Sequence, residues 1–490
     1  MRSSGILMHI TSLPGPYGVG TMGKQAFAFV DFLKEAGQRC WQILPLTPTG
    51  FGDSPYQSCS AFAGNHYLID LDFLVEAGLL HEEELTAVRW SRREDRTDFG
   101  LLYRNRLKVL RQAYKRFTCT AALDAFCDDN RGWLPDFALF MALKERSGGK
   151  PWYEWEEALK HRREDAMNRV RTELAEEIRF YCFVQYLFFS QWNRLHSYAA
   201  ENGIQIIGDV PIYVPLDSVE VWSQPQLFEL DEDLNPIAVA GCPPDGFTED
   251  GQLWGNPLYC WERHEAQGYQ WWLERLAAAG KMYDVVRLDH FRGFEAYWAV
   301  PYGDKTARNG KWMKGPAMSF VHALKSGLPE LALIAEDLGF LTQEVLDLRD
   351  SGGWPGMKVL QFAFDPKEPS DYLPHTYVHN SVCYTGTHDN MTMRQWFETA
   401  SPEEVDFAVQ YMALSRKEGY VWGAIRTALA SVSDTCIIQM QDYLNLDGKA
   451  RMNFPGTLSV SNWTWRMKDG IITKDLAKKI REMTRIYARI

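Results

Sequence analysis

One phrase repeats along this chain of 490 residues: an amphipathic helix, a glycine stop, a short apolar run rich in β-branched and aromatic residues, then a polar or charged residue. About eight such runs, apolar on both faces and mostly separated by helices, predict an α/β fold. Its class is the (β/α)8 TIM barrel with inserted, mainly helical subdomains. An open doubly wound sheet is the alternative. It needs a phosphate-binding glycine loop after the first strand, and the prolines in "SLPGPYGVGTMG" argue against one there.

The first strand lies in the opening "GILMHITSLPG". In "AFAFVDFLKEAG", Phe27, Val30, Phe32, Leu33 and Ala36 recur at helical spacing, Gly37 suits a left-handed C-cap, and 41–46 in "RCWQILPL" reads as the second strand. The phrase returns as "YLFFSQWNRLHSYAAENG" before "IQIIGDVPIYV", as "WWLERLAAAG" before "MYDVVRLDH", and as "FVHALKSG" before "LALIAEDLG". It is looser around "MKVLQFAFD", "SVCYTGTHD" and "CIIQMQD".

Two stretches interrupt the repeat within a single catalytic barrel spanning 1–490. Residues 74–170 are charged and helix-rich, with "LLYRNRLKVLRQAYKRF" the clearest amphipathic helix, and read as an inserted helical subdomain. Residues 211–265 contain "CPPDGFTEDGQLWGNPLYCW", whose Pro, Gly, Asp and Trp content reads as a substrate loop on the C-terminal rim.

Composition excludes several classes of function. The chain is 46% hydrophobic and 24% charged, as in ordinary globular proteins. With 64 acidic against 52 basic residues the net charge is −12, which repels a polyphosphate, so no nucleic-acid partner is expected. No long apolar span or signal segment is present, so neither membrane association nor export is expected and the location read is cytoplasmic. The nine cysteines lack CxxC spacing, which indicates neither a disulfide scaffold nor a zinc knuckle. The 18 tryptophans are mostly core, but flat apolar rings are also what a sugar site requires.

The residues that end the apolar runs carry the chemistry. Asp209, Asp289, Glu336, Asp365, Asp389 and Asp442 would bring six carboxylates to the barrel mouth, an arrangement that costs stability and therefore points to function. Metal catalysis would draw on His9, His290 and His388, but "MHITS" lacks an HxH pair and no lysine ends a central strand, so neither a metal nor a cofactor is expected. Glycosyl chemistry instead needs one ionised and one protonated carboxyl. Side chains alternate along a strand, so Arg287 and Asp289 share a face, and the guanidinium is expected to lower the Asp289 pKa and hold it as the anion. Glu336 follows "LALIA" with no basic neighbour in sequence, which suits a raised pKa and a general acid.

The ordered set "RLDHFRG", "AEDLG" and "TGTHDN" closely resembles the motifs of the 4-α-glucanotransferases (amylomaltases, disproportionating enzymes), a branch of the α-amylase clan. The resemblance extends through "GDVPIYV", "LWGNPLY", "FGDSPYQSCSAFAGN" and "ARMNFPGT". It implies retaining transfer of α-1,4-glucan segments, with malto-oligosaccharides as donors and glucans or glucose as acceptors. Asp289 looks like the nucleophile, Glu336 like the acid/base and Asp389 like the third carboxylate. Arg287 and His388 resemble sugar-contacting residues, Tyr56 and Ser54 in "DSPYQS" a donor-site flank, and Asp209 and Asp365 further polar contacts. Phe247 and Trp254 resemble parts of a loop over the acceptor channel. Amylase-type calcium residues are not apparent. An α-glucan hydrolase, a barrel metallohydrolase and a non-catalytic glucan binder are the competing readings; a nucleophile at Asp289 requires a carboxyl separation from Glu336 of roughly 5–5.5 Å. Chain-length preference and oligomeric state stay open.

Overall fold

The computed structural model describes residues 2–244, 249–339 and 341–490. Its main sheet has eight parallel strands: β1 Ser3–Leu7, β2 Cys40–Gln42, β3 Gln205–Val210, β4 Val285–Leu288, β5 Leu333–Ala335, β6 Gly356–Val359, β7 Ser381–Tyr384 and β8 Thr435–Gln439. Neighbours in sequence are neighbours in the sheet, β1 pairs with both β2 and β8, and the Ala335 amide donates to the Pro355 carbonyl at 3.0 Å across the β5–β6 seam. The sheet is therefore a closed barrel, and every strand comes from one of the apolar runs.

The second strand is shorter than its apolar run. Beyond Gln42 the Leu44 amide turns to His9 Nδ1 at 3.2 Å, and Pro45 has no amide to donate. The buried His9 thereby completes a backbone contact, and burial lowers its pKa to about 3, so it is neutral. The glycines after β1 do have GxGxxG spacing at Gly18, Gly20 and Gly23, yet no phosphate loop results. A Cβ at Gly20 would lie 1.9 Å from the Ile10 carbonyl oxygen, and one at Gly23 would lie 2.0 Å from Asp70 Oδ2. The chain uses both for close packing, and a carboxylate already occupies the space before the helix Lys24–Glu35.

Between β2 and β3 the helices Phe99–Arg116, Thr120–Asp129, Leu134–Arg146 and Glu164–Glu173 precede a 27-residue helix, Ala175–Glu201. One end of that long helix packs on the barrel, where Trp192 donates Nε1–H to the Met282 carbonyl. Its other end holds the preceding helices through Tyr114–Phe180, Phe117–Phe183 and Phe126–Phe189, with ring centroids 5.7, 4.8 and 5.8 Å apart. Such pairs contribute about 0.5–1.5 kcal/mol each beyond area burial.

A second sheet was not legible in the sequence. Strands Gln252–Pro257, Ala238–Cys242, Ala296–Pro301 and Lys311–Lys314 lie side by side in that order, all antiparallel. The first two fall in the stretch whose composition reads as loop. Those two pair with each other, while Ala296–Pro301, which joins Ala238–Cys242 on its other side, enters from beyond β4 in the sequence. No helix among the described residues is long and apolar enough to cross a membrane.

Candidate active site

The site grows out of the register between β3 and β4. Asp209 is the direct partner of Arg287 in that parallel pair, so both side chains point into the barrel. Arg287 Nη1 donates to Asp209 Oδ1 and Oδ2 at 2.8 and 2.7 Å, and to Asp289 Oδ1 at 3.0 Å. One guanidinium nitrogen thus bridges a fully buried carboxylate and one that keeps 28% side-chain exposure. Burial opposes the charge on Arg287, but Asp209 and Asp289 more than offset it and hold the guanidinium pKa well above its ordinary value. Tyr56 O–H donates to Asp209 Oδ2 at 2.8 Å, which extends the network toward the rim.

Asp289 departs from its expected titration. Burial raises its pKa to about 7, with Asp209 and Asp389 adding to the rise; Arg287 pulls it down without reversing the direction. The expected guanidinium effect is present, but the loss of water around the carboxyl is larger. Glu336 rises further, to about 8, through burial and the nearby Asp289 charge, against the pull of Arg287 and two backbone amides. The two carboxyls titrate as a pair. The Arg287 contact favours the anion at Asp289 within that pair.

The turn after β4 shapes this pair. His290 has φ 49° and ψ 48°, a left-handed conformation that costs a non-glycine residue about 1 kcal/mol. In that conformation its amide donates to Glu336 Oε2 at 2.6 Å, while Leu338 N–H donates to Oε1 at 3.1 Å. The neighbouring Asp337 points the other way, where it accepts from Arg349 and the Met357 amide and ties β5 to β6. Burial lowers the His290 pKa to about 3, and Trp254 meets its ring edge-on at 4.8 Å.

On the opposite wall, Asp389 keeps 43% side-chain exposure, with His388 Nε2 3.4 Å from its Oδ1. Asn453 Nδ2 donates to the same oxygen at 2.7 Å, and Arg451 Nη2 donates to the Asp389 carbonyl at 2.7 Å. Tyr56 stacks on His388 at 5.1 Å with an interplanar angle of 16°, and Trp463 leans on both rings. Sequence reasoning assigned no role to Arg451, Asn453 or Trp463. Nothing local connects them to Asp389, which their loop reaches from beyond β8.

Not every carboxylate at a strand end joins the cluster. Asp442 is buried, accepts from Thr385 Oγ1 and the Met393 amide, and has a pKa raised to about 6 by burial. Asp365 is exposed beyond the end of β6, and its carboxylate accepts from the Lys367 amide. The convergence therefore concerns Asp209, Asp289, Glu336 and Asp389 rather than six groups. Ser54 Oγ accepts from the Tyr56 amide and shapes the loop that carries that ring. Phe247 lies outside the described residues. A cavity of 40 Å³ beneath Tyr56 and Asp209 is too small for a sugar.

This cluster opens at the C-terminal ends of the strands, the catalytic end of such barrels. Residues 8–473 match the glycoside hydrolase family 77 profile, described as 4-alpha-glucanotransferase. The chain is 50% identical to the 4-alpha-glucanotransferase of Clostridium butyricum, over 98% of this chain and 100% of that one. It is 46% identical to that of Thermus thermophilus, over 100% and 99%. An amylomaltase from Streptococcus agalactiae, solved in complex with acarbose, superposes with a TM-score of 0.98 at 43% identity and full coverage of both chains. Amylomaltase from Corynebacterium glutamicum, at 18% identity and a TM-score of 0.81, covers all of this chain and 75% of that one and shares the fold. On the profile, the relatives and the barrel together, this chain belongs to the 4-alpha-glucanotransferase family, glycoside hydrolase family 77.

Proposed function

We propose that the mouth of this barrel transfers α-1,4-glucan segments by a retaining double displacement in which Asp289 is the nucleophile and Glu336 the acid/base. Family membership supports the activity. The residue roles rest chiefly on the Arg287 bridge to Asp289, set beside a Glu336 that has no such contact. Glu336 donates its proton to the glycosidic oxygen as an Asp289 oxygen bonds to the anomeric carbon, which releases the leaving glucan and forms a glucosyl ester. Glu336, now ionised, takes the proton of an acceptor 4-hydroxyl as that oxygen displaces Asp289.

The remaining residues bind and orient. Asp389, aimed by Asn453, grips sugar hydroxyls and stabilises charge at the anomeric centre. Arg287, His388, Tyr56 and Asp209 form the floor beside the cleavage point, Ser54 sets the Tyr56 loop, Asp365 meets longer chains at the rim, and Trp254 walls the acceptor side. Aromatic rings on both sides exclude water, which favours a sugar acceptor over hydrolysis. The substrates are malto-oligosaccharides and α-1,4-glucans, with glucose as a minimal acceptor. Cys40, Cys182, Cys383 and Cys436 are buried free thiols, which supports a cytoplasmic site of action.

Incubation with maltotriose tests this reading. Transfer yields glucose together with oligomers longer than the substrate; a hydrolase yields only shorter sugars. Glu336→Gln should abolish both products, and turnover retained in that variant would remove Glu336 from the mechanism.

A further inference from the structure

The four-stranded sheet presents an indole that none of these steps uses. Trp312, on the edge strand Lys311–Lys314, is 42% exposed. One face of its ring lies on the guanidinium of Arg292, with Cζ 4.1 Å from the ring centroid, and Arg292 is itself only 7% exposed. Trp298, its direct cross-strand partner, meets it at 5.3 Å and 69°. Trp298 is held in turn by an Nε1–H bond to the Ala307 carbonyl at 2.8 Å and by packing on Val239, Val300 and Ala307. The exposed surface of Trp312 is therefore the face and edge turned away from Arg292. A buried cation beneath an indole fixes its plane.

Through Arg292 that indole is tied to the turn that carries the proposed nucleophile. Arg292 follows Asp289, His290 and Phe291 directly, so the turn that carries the nucleophile also carries the support of Trp312. Trp254, which meets His290, stands on the opposite edge strand of the same sheet. The cross-strand row Leu253, Gly241, Trp298, Trp312 runs between those edges on one face, across three strand intervals or about 14 Å. Gly241 leaves a gap in that row, and Lys311 and Lys314 flank the indole, with Lys314 paired to Glu295. A single flat apolar face ringed by polar groups matches a sugar ring, which is apolar on its C–H face and hydroxylated at its edge. A helix or an apolar protein patch needs a wider continuous surface.

We propose that Trp312 is a stacking platform for an α-glucan chain outside the catalytic cleft, retaining long substrates that the acceptor side then draws upon. The proposal rests on the glucan-transfer reading above, and its test separates the two. Wild type and the Trp312→Ala, Trp312→Met and Trp312→Phe variants are run in native gels containing amylose, and KM is measured with amylose and with maltotriose. Trp312→Met keeps Arg292 covered, which guards against a folding defect, whereas Trp312→Phe keeps a flat ring. The expected result is loss of retardation and a KM for amylose about tenfold higher in the Ala and Met variants, near wild type in Phe, with maltotriose kinetics unchanged in all three. Unchanged retardation and KM in Trp312→Ala overturn the platform even when maltotriose is disproportionated. A wild type that fails on maltotriose overturns the transfer reading, whatever the gels show. A change in molecular mass on Trp312→Ala without loss of retardation identifies an interface between copies instead and also overturns the platform.

Discussion

Two buried arginines sit at opposite ends of the barrel and solve opposite problems. Arg287, at the mouth, faces carboxylates: Asp209 and Asp289 both accept from its Nη1. Arg489, at the base and 0% exposed, faces only neutral oxygen: it donates to the carbonyls of Ser3, Leu429, Ser431, Ser433 and Asp434 at 2.8–3.2 Å. Those carbonyls lie just before β8 and at the start of β1, so Arg489 staples the entry ends of two adjacent strands to the segment after helix Lys474–Ile486. The same side chain is a charge regulator where acids converge and a hydrogen-bond clamp where backbone ends converge. The comparison matches the division of such barrels into a reactive C-terminal face and a stabilising N-terminal face.

The sharpest break of this comparison is Asp289→Asn. It should cut kcat for maltotriose disproportionation by at least about 10⁴-fold while leaving the melting temperature near that of wild type. Arg489→Ala should do the reverse: a loss of roughly 3 kcal/mol in denaturant unfolding, from five carbonyls left without their charged donor, with kcat of the folded enzyme within about twofold. An Arg489→Ala enzyme with wild-type stability would show that the base needs no such clamp.

A smaller effect separates stability from activity at the mouth itself. The Glu336 pKa is raised on folding, so the folded state binds its proton more tightly than the unfolded chain does. The stability linked to that proton is fully present below the unfolded value near 4.5 and is lost as pH rises through about 8. Glu336→Gln should therefore be inactive yet gain on wild type by on the order of 4 kcal/mol between pH 5 and pH 9, read from melting curves at both. A pH-independent difference between the two proteins would contradict the raised value. The smallest effect is that of Asn453→Ala, which frees the Asp389 carboxylate to rotate. A loss of about tenfold in kcat is expected, with KM for maltotriose little changed; an equal loss in KM alone would make Asn453 a simple binding contact.

Legibility followed the range of the interactions. Strand β4 was readable because Val285 to Leu288 alternate toward two apolar environments, and its acid end was readable because charge at a strand end breaks that run. The strand Gln252–Pro257 was not, since its Gly255 and Pro257 read locally as loop and the sheet it edges is completed by strands from beyond β4. Asp442 and Asp365 looked equivalent to Glu336 in sequence. Only packing separates an acid capped by Thr385 and Met393, or one left in water, from one buried beside Asp289.

By itself the sequence determined the eight-stranded barrel and the order of Asp289, Glu336 and Asp389 along it, because periodicity and strand ends are local properties that each segment encodes alone. Tertiary structure decided which acids share a site, that Asp209 is the second partner of Arg287, that Asn453 reaches Asp389, and that Trp312 lies over Arg292. It also decided the titration of Asp289, where loss of water outweighs the neighbouring guanidinium. Desolvation depends on everything packed around a group, and no stretch of chain carries that information by itself.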